Sequence, residues 1–156
     1  MLFFYYFCLM AFNGLKKLIS GIDKIQSGRF LFIDAANFDI VKSQMIDLNQ
    51  EQMEDFGVDS KGETLGEYSE YTKIIKQKKG QSTDHITLKD TEEFYNSMHV
   101  VFGGDSIFIS ADMIKPDTDL ESIYPFALGL TEENKRELIP EIKERIIDLI
   151  NKYFGR

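Results

Sequence analysis

Cysteine and histidine are nearly missing from these 156 residues: Cys8, His85 and His99 are the whole supply. A lone cysteine cannot close an internal disulfide, and neither histidine has a cysteine or a second histidine at zinc-ligand spacing. The expectation is a reducing compartment, no transition-metal site and no cofactor. Basic residues are also in deficit, 18 against 26 acidic ones, for a formal charge of −8. Such a surface repels phosphate backbones, so sequence-specific nucleic acid is not an expected partner. No apolar run reaches the roughly 20 residues that span a bilayer, so no membrane partner is expected either.

Catalytic signatures are missing too. There is no G-x-S-x-G elbow, no G-x-G-x-x-G and no phosphate-loop lysine. Cys8 sits in an apolar run without an adjacent base, and no spacing ties His85 or His99 to a carboxylate. No catalytic residue is assigned, and the chain reads as non-enzymatic.

What is present is globular: 43% hydrophobic and 28% charged residues. That length suits one domain, able to bury roughly two thirds of its unfolded surface. The segment 1–12 (MLFFYYFCLMAF) is almost wholly apolar. Three readings stay open for it: a true start at Met10, an arm that packs on a neighbouring subunit, or a secretion signal, though basic and small flanking residues are missing. Residues 13–156 are expected to form one α+β domain. Leu15, Leu18, Ile19, Ile22 and Ile25 recur at helical spacing up to Gly28, whereas Phe30 to Ile33 is too short for periodicity to decide.

Between Asn37 and Phe56, Val41, Met45, Leu48 and Phe56 share one helix face, with Lys42, Asp47, Glu51, Glu54 and Asp55 on the other and Gly57 as the stop. The acidic run containing Glu51, Glu54 and Asp55 reads as a solvated face. Asp59 to Glu70 has the length of a calcium loop, but Lys61 occupies a ligand position and Gly62 falls fourth instead of sixth; a plain Asp-x-x-Gly turn is expected.

Tyr68 to Asp84 is polar, with Lys73, Lys76, Lys78 and Lys79 ahead of Gly80, and is expected to be an exposed, flexible loop around 73–84 that offers a basic contact to an acidic partner. Ile86 to Leu88 looks extended, and Asp90 with Glu93 has capping-box spacing ahead of a short helix at Phe94 and Tyr95. Met98 to Phe102 and Ile107 to Ala111 predict a hairpin. The last helix is capped by Thr131 and carries Leu138, Ile142, Ile146, Leu149, Ile150 and Tyr153 on one face, with a kink or fresh start expected at Pro140. The predicted fold is therefore α+β, helices packed against a small, mainly antiparallel sheet with a long C-terminal helix.

The stretch Asp59 to Val101 resembles the central segment of small tailed-bacteriophage proteins of the virion-morphogenesis and tail-completion group. The likeness is carried by Asp59-Ser60-Lys61-Gly62-x-x-Leu65-Gly66, the pairs Tyr68-Ser69 and Tyr71-Thr72, the lysine-rich run to Gly80, and Thr87-Leu88-x-Asp90-Thr91 before Phe94-Tyr95-x-Ser97. Gly129-Leu130-Thr131 adds to it. This chain departs at Glu92, where related sequences carry glycine, and in its apolar N-terminus. The resemblance implies a structural virion component, a head-tail connector or tail-completion protein that forms rings with copies of itself. It would contact neighbouring head, portal or tail proteins after assembly in the bacterial host cytoplasm. In such a ring the lysines around Lys76 would face an acidic patch such as Glu51, Glu54 and Asp55. Two other classes remain open: a small cytoplasmic enzyme or regulator with a site built from dispersed carboxylates and a histidine, and, more remotely, a secreted domain.

Overall fold

A computed structural model describes residues 34–103, 106–115 and 118–154. The expectations for the apolar segment 1–12, the helix up to Gly28, the run Phe30 to Ile33 and Cys8 lie outside the described residues, as do Gly104 and Asp105 of the hairpin turn, Pro116 and Arg156. The chain is α+β. In order it forms α1 (Asp39–Glu54), α2 (Glu70–Lys78), α3 (Glu93–Asn96), β1 (His99–Gly103), β2 (Ser106–Ser110), β3 (Ile114–Lys115), β4 (Thr118–Asp119), α4 (Leu120–Ile123) and α5 (Glu132–Phe154). It divides into two compact units, Lys42–Leu138 and a second whose described residues are 34–41 and 139–154. Among the described residues no helix is long and apolar enough to cross a membrane.

In the smaller unit Ala35 and Leu149 are buried, with Phe38, Ile142 and Ile146 packed against them. Arg145 lies 5.7 Å from the Phe38 ring centroid and bonds Glu141 and Asp148, each at 2.8 Å. Part of the apolar face read along the last helix, Ile142, Ile146 and Leu149, thus finds its partner here.

The larger unit is organised by α1. Its helical repeat places Met45, Leu48 and Met53 in the core, but Asn49 and Gln52 are buried on the same side, at 0% and 1% exposure. Phe56, expected on the apolar face, is 68% exposed, because the helix has ended at Glu54 and the chain is already turning. Gly57 takes φ +62°, and its missing Cβ leaves room for the His85 ring, which sits against it. The Asp59 turn forms as expected: its carboxylate accepts from the Lys61 and Glu63 N–H groups at 2.8 and 3.0 Å.

Two local expectations are corrected. Leu88 takes φ 56°, which breaks the extended run at 86–88. The capping box does not form: Glu92 is the N-cap of α3, at φ 62° with no side-chain cap, and Asp90 is drawn away to Lys79 at 2.7 Å. Glu92 thus holds a left-handed conformation that glycine adopts more readily. The hairpin holds its predicted pairing, antiparallel from His99 opposite Ser110 to Gly103 opposite Ser106. A two-residue pair, β3 with β4, follows it, also antiparallel. Thr131 caps α5 by accepting from the Asn134 N–H at 3.2 Å, and Pro140 lies inside the helix two residues after the boundary of the larger unit.

Candidate functional site

The segment expected as an exposed loop is helical up to Lys78, and only 79–84 are turn and irregular chain. Ser69 caps α2 by accepting from the Thr72 N–H at 3.2 Å, Glu70 sits in the first turn, Lys76 and Lys78 in the last, and Gly80 at φ +67° ends it. The residues that earned the loop reading, lysines before a glycine, are those that suit a helix C-terminus.

The four lysines do not share one environment. Lys76 is only 6% exposed. Its ammonium donates to the Lys89 carbonyl at 2.8 Å and to Gln81 Oε1 at 3.3 Å, and stands 4.7 Å from the Tyr68 ring centroid. Among the described residues no carboxylate lies within 4 Å of it, so neutral acceptors and a π face hold this cation. Lys73 is held by Glu70 at 3.1 Å, and hydrogen bonding to that carboxylate raises its pKa. Lys79 pairs with Asp90 at 2.7 Å, and that hydrogen bond holds the Asp90 carboxyl below the usual carboxylate range. Lys78 is exposed and has no ion-pair partner among the described residues.

The acidic face is divided in the same way. Glu51 and Asp55 are exposed, but both oxygens of Glu54 accept from Lys89, at 2.7 and 2.9 Å. That bond keeps the Lys89 ammonium charged above its ordinary range. Neither the basic cluster nor the acidic run is therefore a continuous charged patch. Lys76, Lys89, Glu54 and Asp90 instead line one pocket of about 300 Å³, walled largely by the 80–92 segment, where their charges offset one another.

The histidines are separate. His85 bonds the Glu54 carbonyl through Nε2 at 2.8 Å, and His99, exposed, meets the Ser97 carbonyl through Nδ1 at 2.9 Å. Neither has a carboxylate as hydrogen-bond partner among the described residues. Nor is any group of three or more His, Cys, Asp or Glu side chains placed there to hold a metal ion.

Comparison with known protein families, curated proteins and solved structures found no match.

Three features were missed in the sequence. Tyr71, Ile74 and Ile75 lie on the outward face of α2, 75%, 53% and 38% exposed, while its polar side, with Thr72, Lys73 and Lys76, turns inward. Their three- and four-residue steps were visible as a helical signal, though nothing in them says which face is buried. A groove of about 520 Å³ lies along β2 and the segments around α4, with Phe108, Ile109, Met113, Ile114, Pro125 and Leu128 among its lining. The third feature is a buried amide cluster. Asn49 donates to the Ala127 carbonyl and accepts from the Gly129 N–H; Gln52 donates to the Gly129 carbonyl and accepts from the Thr131 N–H and the Asn134 amide.

Tyr95 supplies a pH-dependent contribution at this site. Its hydroxyl donates to the Thr87 carbonyl at 2.7 Å, and burial pushes the phenol up from its ordinary range. A group whose folded pKa is raised stabilises fully below the unfolded value, near 10, and that stability declines as pH rises beyond it toward the folded value. Tyr95→Phe should therefore lose about 1–2 kcal/mol at neutral pH, from the unpaired carbonyl, and show a shallower alkaline decline than wild type. Melting curves from pH 8 to about 11 check this; parallel profiles would remove Tyr95 from the account.

Proposed function

We propose that this chain is a structural component of a tailed-bacteriophage particle, a head-tail connector or tail-completion protein acting through ring-forming contacts with copies of itself and with neighbouring head, portal or tail proteins. The observation that carries the reading, beside the resemblance over Asp59 to Val101, is the orientation of α2. A helix that sinks a lysine into its own fold and presents Tyr71, Ile74 and Ile75 to solvent gains nothing from that stripe as an isolated subunit. The stripe gains a role once a partner covers it. It lies in the segment with the resemblance, so sequence likeness and exposed apolar surface point to the same element. The net charge of −8 restrains indiscriminate association and leaves assembly to specific contacts. In this reading assembly takes place in the cytoplasm of the bacterial host.

Quantitative mass spectrometry of purified virions and of assembly intermediates tests the proposal. The expected result is a fixed copy number per particle matching a closed ring. Absence from particles at every stage would overturn it.

A further inference from the structure

We infer that the partner of the α2 stripe is a second copy of this chain, which receives the helix head to tail in the groove along β2 and α4; the inference deepens the assembly reading above by naming its two surfaces. Tyr71, Ile74, Ile75 and Lys78 stand at i, i+3, i+4 and i+7, the arrangement by which a helix lays one face into an apolar groove. The groove fits that ligand in chemistry. Its apolar lining includes Phe108 and Ile114, 47% and 78% exposed, large side chains that water would otherwise cover.

Charge gives the contact its direction. Asp112 and Glu121 line the groove and are exposed, and neither side chain has an ion-pair partner among the described residues. Lys78, at the end of the α2 stripe, is the exposed lysine of that helix likewise left without one. Groove against groove would bring carboxylates together, and stripe against stripe would leave Asp112 and Glu121 unanswered. Stripe into groove pairs both charges and both apolar surfaces. The two surfaces share no residue, so the contact is heterologous, and repetition of it closes into a ring or runs on as a filament.

The experiment uses the full chain, with α2 and the groove disabled separately. Ile74→Glu removes the stripe, and Ile114→Glu removes the groove; both positions are more than half exposed, and matched melting curves confirm that each variant folds. Sedimentation at about 0.15 M salt should show concentration-dependent oligomers for wild type and an affinity about tenfold weaker or worse for either variant alone. Mixed together, the variants should form a heterodimer that grows no further, because only one intact stripe and one intact groove remain. Lys78→Glu should weaken association, and combining it with Asp112→Lys and Glu121→Lys should restore it. A wild-type chain that stays monomeric up to about 1 mM overturns the self-contact. Oligomers without heterodimer formation on mixing also overturn it, and point to stripe-on-stripe packing or to a different protein in the groove. These outcomes are distinct from failure of the virion reading: a chain absent from particles could still pass the mixing test, and one present in particles could fail it.

Discussion

Gln52→Leu should lower the stability of the Lys42–Leu138 unit by about 3 kcal/mol, because it leaves at least two partly buried backbone groups and the Asn134 amide without a partner at about 1–3 kcal/mol each. The side chain is 1% exposed and spans from α1 to the chain around Gly129. Its amide donates to the Gly129 carbonyl at 2.8 Å, and its oxygen accepts from the Thr131 N–H at 3.2 Å and the Asn134 amide at 3.1 Å. Leucine has similar bulk but none of these bonds, so the loss is one of satisfaction and not of volume. The segment 127–131 has irregular backbone, and Asn49 and Gln52 serve it as substitute strand partners. For a chain of this size the melting temperature should fall by roughly 6–12 °C. Asn49→Leu, which strands the Ala127 carbonyl and the Gly129 N–H, should behave similarly, and the neighbouring exposed Glu51→Gln should not move the curve. A Gln52→Leu protein that melts within about 1 °C of wild type would show that the cluster is dispensable.

Lys76→Glu should be nearly as damaging, and Lys78→Glu, two residues away, should leave the stability of the fold nearly unchanged. In wild type the Lys76 ammonium meets two oxygen acceptors, the Lys89 carbonyl and Gln81. A carboxylate there would face acceptors only, in a site 6% exposed, and breaking a buried charge arrangement of this kind costs about 3–5 kcal/mol. Lys76→Met keeps the packed stem and loses the donors, so it should cost less, about 1–3 kcal/mol. Lys79→Glu removes an exposed pair with Asp90 and should cost no more than about 1 kcal/mol. Lys78→Glu should stay within about 0.5 kcal/mol. Chemical denaturation of the four single variants checks the order. Equal, small effects at all three positions would restore the exposed-loop reading of 73–84.

These two cases mark where the sequence was legible. Periodicity located α1 and α5, because a buried face imposes a repeat of about 3.6 residues on apolar side chains, and β-rich runs flanking a glycine-containing loop located the β1–β2 hairpin. Turn chemistry located Gly57 and the Asp59 turn, since a left-handed φ and an Asx bond are local requirements. The same local reasoning failed at Glu92 and Leu88, non-glycine residues with positive φ that are held by contacts made elsewhere. It failed at α2 for a different reason. A polar run with lysines before a glycine reads as a loop, whereas here it forms a helix whose inward side is the polar one and whose Tyr71, Ile74 and Ile75 face out.

Readable in the chain without a structure were the α+β class, the two long helices and the hairpin, the acidic balance, and the lack of a recognisable catalytic or zinc-binding motif. All of these depend on residue identity and on spacing within one element. Packing between elements settles which lysine is buried, that Glu54 is taken by Lys89, that Asn49 and Gln52 complete the 127–131 segment, and that α2 turns its isoleucines outward while a separate apolar groove runs along β2. Each of these joins residues far apart in the chain: Lys89 lies 35 positions from Glu54, and Gly129 lies 77 from Gln52. Over such separations the partner of a side chain is set by how elements pack, and no local pattern encodes it.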